Sequence, residues 1–282
     1  MKIARIVGPS GPSYAVQAGD ESWVGLESFG IHVTTTPELA NAAEALGGID
    51  VASVGGGVVD PDFLGPIVAP GKLMAIGLNY SDHIRETGST APKNPILFMK
   101  ANTSLTGPYD DIVVDPEMTQ LADYETELTV IIGRRTKGIS KDEALGVIFG
   151  YTVGNDVTAR DCMKADGQLV RSKSFDTYCP NGPWITTADE IPNPQALGIK
   201  TLVNGEVRQD SSTSEMLFPI DHLIHFLARG MTLEPGDVLM TGTPHGVGFV
   251  MDPPRALQAG DVVECEVEGL GTLRNRVVAP GN

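Results

Sequence analysis

The chain has 282 residues, 41% of them hydrophobic, which is enough for a sizeable core in one large domain or in a small domain joined to a larger one. Its 20 Lys and Arg against 36 Asp and Glu give a formal net charge of -16. That field repels nucleic acid and anionic lipid, and it obliges an anionic ligand to find local positive charge from a metal or a placed Lys or Arg. The opening MKIARIVGPSGPSYAV lacks the apolar run of a secretory signal, and no segment reaches the roughly 18 apolar residues of a membrane helix. Cys162, Cys179 and Cys265 form no C-x-x-C pair, which suits a reduced, cytoplasmic protein better than a disulfide framework or zinc ribbon.

Residues 1–70 alternate short apolar runs (KIARIV, YAVQ, WVGLE, IHVTT) with Gly, Pro and Ser, and hold one predicted helix over PELANAAEALGG. They read as a small β-rich N-terminal domain, with GPIVAPGK at 65–72 as the linker to a second domain over 71–282. A phosphate-binding loop is excluded there, because Leu73 follows Lys72 where Ser or Thr is required. Beyond it, LMAIGLNY predicts a strand and SDHIRET one or two helical turns ended by Gly88. PILFMKAN and the stretch from Tyr124 to Ile132 predict further strands. Ser140 and Glu143 form a capping box for a helix that Gly150 ends, where the strand YTVGND begins. Asp156 then lies at or just past a strand end. A helix over PIDHLIHFLAR, with Pro219 at its first turn, precedes EPGD, VLMTGTP and a terminal hairpin over AGDVVECEVEGLGTLRNRVV.

The stretch DYETEL at 123–128 places Asp123, Glu125 and Glu127 on one face of an extended segment. Alternation does not assign it a role, because VVECEVEG puts Glu264, Glu266 and Glu268 on one face equally well. The company differs. Near the first ladder in sequence stand Asp156, Arg160, Asp161 and Lys173, with His83 and Glu86 upstream, whereas the last hairpin offers Arg274 and Arg276. Clustered carboxylates with open positions suit a hard divalent cation such as Mg²⁺ or Mn²⁺.

Seven segments in order, GLNYSDHIRETG, PILFMKANTSLTGPYDDI, DYETELTVIIG, GYTVGNDVTARD, RSKSFDTYCPNGPW, LVNGEVRQDSSTSEMLF and LEPGDVLMTGTPHGVG, resemble the fumarylacetoacetate hydrolase superfamily. The resemblance spans roughly 77–279 and is closest to the acylpyruvase, oxaloacetate decarboxylase and diketo-acid hydrolase branch. It implies an α+β, mainly β protein with a mixed β-sandwich roll, a homodimer, and a Mg²⁺ or Mn²⁺ ion held by Glu125, Glu127 and Asp156. It further implies catalytic roles for His83 and Glu86 on a short lid helix and for Lys173 beside the metal. Arg160, Met163 and Thr243 take substrate-contacting positions. Relatives commonly carry Gln where this chain has Met163, so the distal part of the substrate is expected to be less polar here; Leu169 stands where they often have Trp, and both departures bear on substrate identity and leave the metal site intact.

A small anionic keto acid is the expected partner, with neither nucleic acid nor membrane. The expected reaction is C–C hydrolysis of a 3-acylpyruvate or 2,4-diketo acid with release of pyruvate. The same site would also support oxaloacetate decarboxylation or isomerisation of a 2-hydroxy-diene-dioate, and a catalytically inactive metabolite-binding protein is the non-enzyme alternative. His222 and His225 make an H-x-x-H without a third ligand nearby and read as packing or interface residues. Cys162 reads as a buried structural thiol, Arg160 as equally able to pair with Asp161 or a core carboxylate, and His245 has no assigned role.

Overall fold

A computed structural model describes residues 1–8, 10–19, 22–54 and 57–281. The fold is α+β and mainly β. Among the described residues its principal sheet has twelve strands, with a run of Lys2–Gly8, Cys179–Thr187, Ile148–Asn155, Thr126–Ile132, Val238–Met240, Leu73–Gly77 and the edge strand Ile96–Met99. A five-stranded sheet carries Glu206–Ser212, Gly198–Val203, Val262–Val267, Gly271–Val278 and Ile112–Val113. One apolar core joins the two sheets, with Leu128, Val130 and Val153 from the first packed with Ile199, Val263 and Leu273 from the second. Each such buried side chain contributes roughly 1.5–3 kcal/mol.

The two central strands are buried along their whole length, which explains their near-continuous apolar texture. They also approach their neighbours closely. A Cβ on Gly150 would fall 2.5 Å from the Thr186 carbonyl, and one on Gly154 2.5 Å from Thr129 Oγ1. Gly150 therefore does not end a helix as the sequence suggested; it lies inside a strand that begins at Ile148. Helix Lys141–Ala144 does start on the expected capping box, with both reciprocal contacts between Ser140 and Glu143, and passes into a 3-10 turn over Leu145–Val147.

The strand expected from Tyr124 begins instead at Thr126. Ala122–Asp123 pairs separately with Thr158–Ala159, and the Glu125 N–H is taken by Asn155 Oδ1 at 3.0 Å. PELANAAEALGG divides at Ala42 into two short helices, Thr36–Asn41 and Ala43–Gly47. The first is capped by Thr35 and Glu38. IHVTT joins no ladder, because its residues lead directly into that cap. Pro219 is the N-cap of helix Ile220–Gly230, which buries Ile220, Leu223, Ile224, Leu227 and Ala228 at helical spacing.

The N-terminal strands continue the main sheet by hydrogen bonding, with Ile3 opposite Ile185 and Ala4 opposite Trp184. Residues 65–72 are held down between them. The Tyr14 hydroxyl donates to the Pro66 carbonyl at 2.8 Å, the Ile67 N–H donates to Asn181 Oδ1 at 3.1 Å, and Lys72 pairs with buried Asp237.

Candidate metal centre and active site

Strand register builds the carboxylate cluster. Thr126 lies opposite Asn155 and Glu127 opposite Gly154, so the residues just before one strand and just after the other meet at the same end of the pair. The Asp156 N–H donates to the Glu125 carbonyl at 2.9 Å and fixes that junction. Glu125, Glu127 and Asp156 are all buried, and each offers a ligand atom within 4.8 Å of the others. The Gly242 N–H donates to Glu127 Oε2 at 2.8 Å.

Three buried cations surround them. Lys173, in the 3-10 turn Arg171–Lys173, donates to Glu125 Oε2 at 2.6 Å, Asp156 Oδ2 at 2.5 Å and Thr158 Oγ1 at 2.8 Å. Lys100, just past strand Ile96–Met99, donates to Asp156 Oδ1 at 2.5 Å and to the Tyr178 carbonyl at 3.0 Å. Arg160 Nε donates to Asp123 Oδ2 at 3.0 Å, and its Nη2 lies 2.5 Å from Glu125 Oε1. Arg160 thus pairs with core carboxylates, while Asp161 turns away to accept from Thr119 and the Gln120 N–H.

Burial raises the Glu125 pKa, but Arg160 and Lys173 outweigh burial and hold it at about 2. Glu127 goes the other way: burial, then Asp156 and Glu125, push its pKa well above the ordinary carboxylate value. Burial also disfavours the charge on Lys173, yet Asp156 and Glu125 hold its pKa above normal. Among the described residues Glu127 forms no ion pair, whereas Asp123, Glu125 and Asp156 all do. An all-oxygen donor set whose central member lacks a counter-charge fits a hard divalent cation.

Helix Ser81–Thr87 covers this cluster, and Gly88 closes it in the left-handed conformation at φ 63°. His83 is buried, with Nδ1 3.3 Å from Glu86 Oε2. The helix is tied to the loop after Val238–Met240. The Gly246 N–H donates to Glu86 Oε1 at 2.8 Å, and Asp82 accepts from Ser211 Oγ at 2.5 Å and from the His245 N–H at 3.3 Å.

His83, Glu125, Glu127, Asp156, Arg160, Met163, Lys173 and Thr243 line a single cavity of about 420 Å³. Glu86 backs His83. The Thr243 hydroxyl donates to the Thr126 carbonyl at 2.9 Å and accepts from Gln209 Nε2 at 2.9 Å, so it is held by the strands Thr126–Ile132 and Glu206–Ser212. Two residues of the cluster carried no sequence role. Asp123 orients Arg160 and accepts the Gly248 and Phe249 N–H groups at 2.8 and 3.2 Å. Lys100 ends the apolar run of PILFMK, and a cation terminating an apolar strand was its only signal. Phe98 and Phe249 are also cavity walls, with Lys173 Nζ 5.1 Å and the Arg160 guanidinium 4.3 Å from their rings.

The other candidates lie outside the cluster. His222 stacks on Phe218 and Phe226, and His225 Nδ1 is 2.7 Å from the Ile139 carbonyl. Cys162 is buried against the Met118 carbonyl, and burial raises its thiol pKa.

A mainly β fold that buries three convergent carboxylates in one cavity with a helix-borne His is the arrangement of a class of metal-dependent enzymes acting on small molecules. The chain belongs to the fumarylacetoacetate hydrolase family: the family's sequence model, described as "Fumarylacetoacetate (FAA) hydrolase C-terminal", matches residues 72–278. It is 45% identical over 217 residues to "Oxaloacetate tautomerase Fahd2a, mitochondrial" of Rattus norvegicus, covering 77% of this chain and 69% of that one. The solved fumarylacetoacetate hydrolase of psychrophilic Exiguobacterium antarcticum superimposes with a TM-score of 0.89 at 37% identity, over 99% of each chain. Maleylpyruvate hydrolase from Sphingobium sp. SYK-6, solved with manganese(II) and pyruvate, gives a TM-score of 0.81 at 29% identity over 99% of each chain. No helix among the described residues is long and apolar enough to cross a membrane.

Proposed function

We propose that the chain is a divalent-metal-dependent enzyme that binds a 2-oxo acid by its carboxylate and 2-oxo oxygens and moves a proton at the adjacent carbon with His83. The observation that carries this reading is the opening of the Glu125, Glu127 and Asp156 cluster into the same cavity that His83 lines. Mg²⁺ or Mn²⁺ held by these three residues would supply positive charge beside the 2-oxo oxygen. Lys173 and Arg160 fix Glu125 and Asp156 and offset the chain's acidic field at the site. Glu86 engages His83 Nδ1, which leaves Nε2 for proton transfer. Met163 and Thr243 bound the space beyond the pyruvoyl end.

Two outcomes follow from one proton position. In tautomerisation His83 takes a proton from C3, the C3–H electron pair becomes the C2–C3 π bond, and the 2-oxo oxygen gains the charge and then a proton. The curated relative named as an oxaloacetate tautomerase favours this outcome. In hydrolysis His83 takes a proton from water, whose oxygen attacks the distal carbonyl of a 3-acylpyruvate or 2,4-diketo acid. The bond between C3 and that carbonyl breaks with its electron pair going to C3, which is then protonated to give pyruvate and a carboxylic acid. The pairing of buried His83 with Glu86 suits water activation and keeps this second reading, while decarboxylation of oxaloacetate would need no water.

The test follows enol loss from oxaloacetate, CO₂ release, and pyruvate release from acylpyruvates, each with Mg²⁺ or Mn²⁺ and after chelation. Turnover that survives chelation or Glu127→Ala overturns the metal reading. Metal binding with no turnover in any assay would support the inactive metabolite-binding alternative. A homodimer and a cytoplasmic location belong to the same proposal, the latter supported by three buried free cysteines.

A further inference from the structure

In each of the three clustered carboxylates one oxygen is held by a donor built into the fold. Arg160, itself tied to Asp123, lies 2.5 Å from Glu125 Oε1; the Gly242 N–H donates to Glu127 Oε2 at 2.8 Å; and Lys100 Nζ donates to Asp156 Oδ1 at 2.5 Å. The other three oxygens are placed differently. Glu127 Oε1 has no partner among the described residues, while Glu125 Oε2 and Asp156 Oδ2 share Lys173. Lys173 lines the cavity and also has Thr158 Oγ1 at 2.8 Å, so its ammonium can turn from the carboxylates without losing every partner. Lys100 has no such freedom: its side chain is 0% exposed, it is not part of the cavity wall, and its second hydrogen bond goes to the Tyr178 carbonyl at 3.0 Å.

That difference bears on which cation the cluster takes. A carboxylate with both oxygens open can bind bidentately, which suits Ca²⁺ and its roughly six to eight oxygen ligands; one-oxygen donors suit the octahedral shell of Mg²⁺ or Mn²⁺. Freeing Asp156 Oδ1 for a second bond would strand the buried Lys100 ammonium, which is strongly disfavoured. Resting on the proposed metal-dependent reading, we propose that Lys100 is a positioning residue: it confines Asp156 to a single donor oxygen and so sets the site's preference for a six-coordinate cation over Ca²⁺. Arg160 and Gly242 hold the corresponding oxygens of Glu125 and Glu127. Arg160 also lines the cavity and the Gly242 donor is backbone, so Lys100 is where the preference can be tested apart from ligand contact.

Calorimetry on the metal-free protein, without substrate or turnover, gives the ratio of Mn²⁺ to Ca²⁺ affinity. The parent protein should bind Mn²⁺ more tightly by about tenfold or more. In Lys100→Met that ratio should fall roughly tenfold, because Asp156 Oδ1 is released to Ca²⁺; losing one positive charge raises affinity for both ions alike and leaves the ratio to report the geometry. Lys100→Gln, neutral and one atom shorter, is the second variant should the first fail to fold, and it should shift the ratio the same way by about threefold or more. Lys72→Met removes a cation from buried Asp237 outside the cavity, so it should cost stability and leave the ratio unchanged. A folded Lys100 variant whose ratio moves by less than about threefold overturns the inference, as does Ca²⁺ binding to the parent as tight as Mn²⁺ binding, and in both cases the metal reading stands. If neither ion binds the parent, the metal-dependent reading itself fails and the inference with it.

Discussion

Two strand segments of this chain carry the same alternation of carboxylates, and the fold treats them in opposite ways. Asp123, Glu125 and Glu127 are 1%, 5% and 1% exposed, each held by backbone N–H groups or buried cations. In the terminal hairpin Glu264 is partly buried and pairs with exposed Arg274 at 3.4 Å, while Glu266 and Glu268 face solvent. The difference comes from what lies over each face. The first ladder is covered by helix Ser81–Thr87 and the loop after Val238–Met240; the second forms the outer surface of the smaller sheet. A carboxylate ladder becomes a site when tertiary neighbours exclude water and leave one charge uncompensated.

That contrast can be broken experimentally, and the largest effect belongs to Glu127. Glu127→Ala should abolish tight Mn²⁺ binding and lower turnover by roughly 10³-fold or more, since the metal's charge support goes with it. Metal titration beside the activity assay checks this, and a variant that keeps both would return Glu127 to a structural role. His83→Asn should lower kcat by about 10²–10⁴-fold while Mn²⁺ affinity stays at the parent value. A parallel loss of metal affinity would show that His83 shapes the cluster rather than moving protons.

Glu125→Gln should destabilise the metal-free protein by about 3–5 kcal/mol in denaturant melts at neutral pH, because Arg160 and Lys173 lose a buried counter-charge. The pH dependence sharpens the comparison within the first ladder. Glu125, with its pKa held at about 2, contributes stability that is present above the ordinary carboxylate range and is lost as pH falls toward that value. Glu127, with its pKa raised by burial, Asp156 and Glu125, costs stability increasingly as pH climbs above the ordinary carboxylate range. Mn²⁺ requires the ionised form, so binding should release a proton and strengthen with pH until Glu127 is ionised in the metal-free protein. Calorimetry in two buffers of different ionisation enthalpy reads that proton; equal heats would contradict the raised pKa. The smallest effect is the control: Glu264→Gln and Glu266→Gln should each change stability by less than about 0.5 kcal/mol, with activity unaffected.

Much of the fold was written in local pattern. The Ser140–Glu143 capping box, the helix over Ile220–Gly230, the Gly88 stop and the terminal hairpin follow from residue type and spacing alone, since caps, turns and amphipathic faces are settled within a few residues. Where the local reading slipped, contacts distant in sequence had decided. Gly150 resembles a helix terminator by its neighbours, yet close approach of Thr186 from another strand requires a residue without Cβ there. Glu125 leaves the ladder because its N–H donates to Asn155 Oδ1 and its carbonyl accepts from the Asp156 N–H, while the Tyr124 N–H donates to Asp123 Oδ1.

The same division holds for the site. The sequence by itself determined which residue types were at hand: carboxylates in alternation, Asp156 near a strand end, His83 and Glu86 one helical turn apart, and an apolar thioether at Met163. It also determined that an anionic ligand would need local cations, because net charge is a sum over residues. Only the tertiary structure decided which carboxylates are buried together, that Arg160 answers to Asp123 and Glu125, that Lys100 reaches Asp156, and that Phe98 and Phe249 wall the cavity. Those are distances across strand register and loop packing, and the strength of a charge interaction is set by separation and the water excluded around it, neither of which is local in sequence.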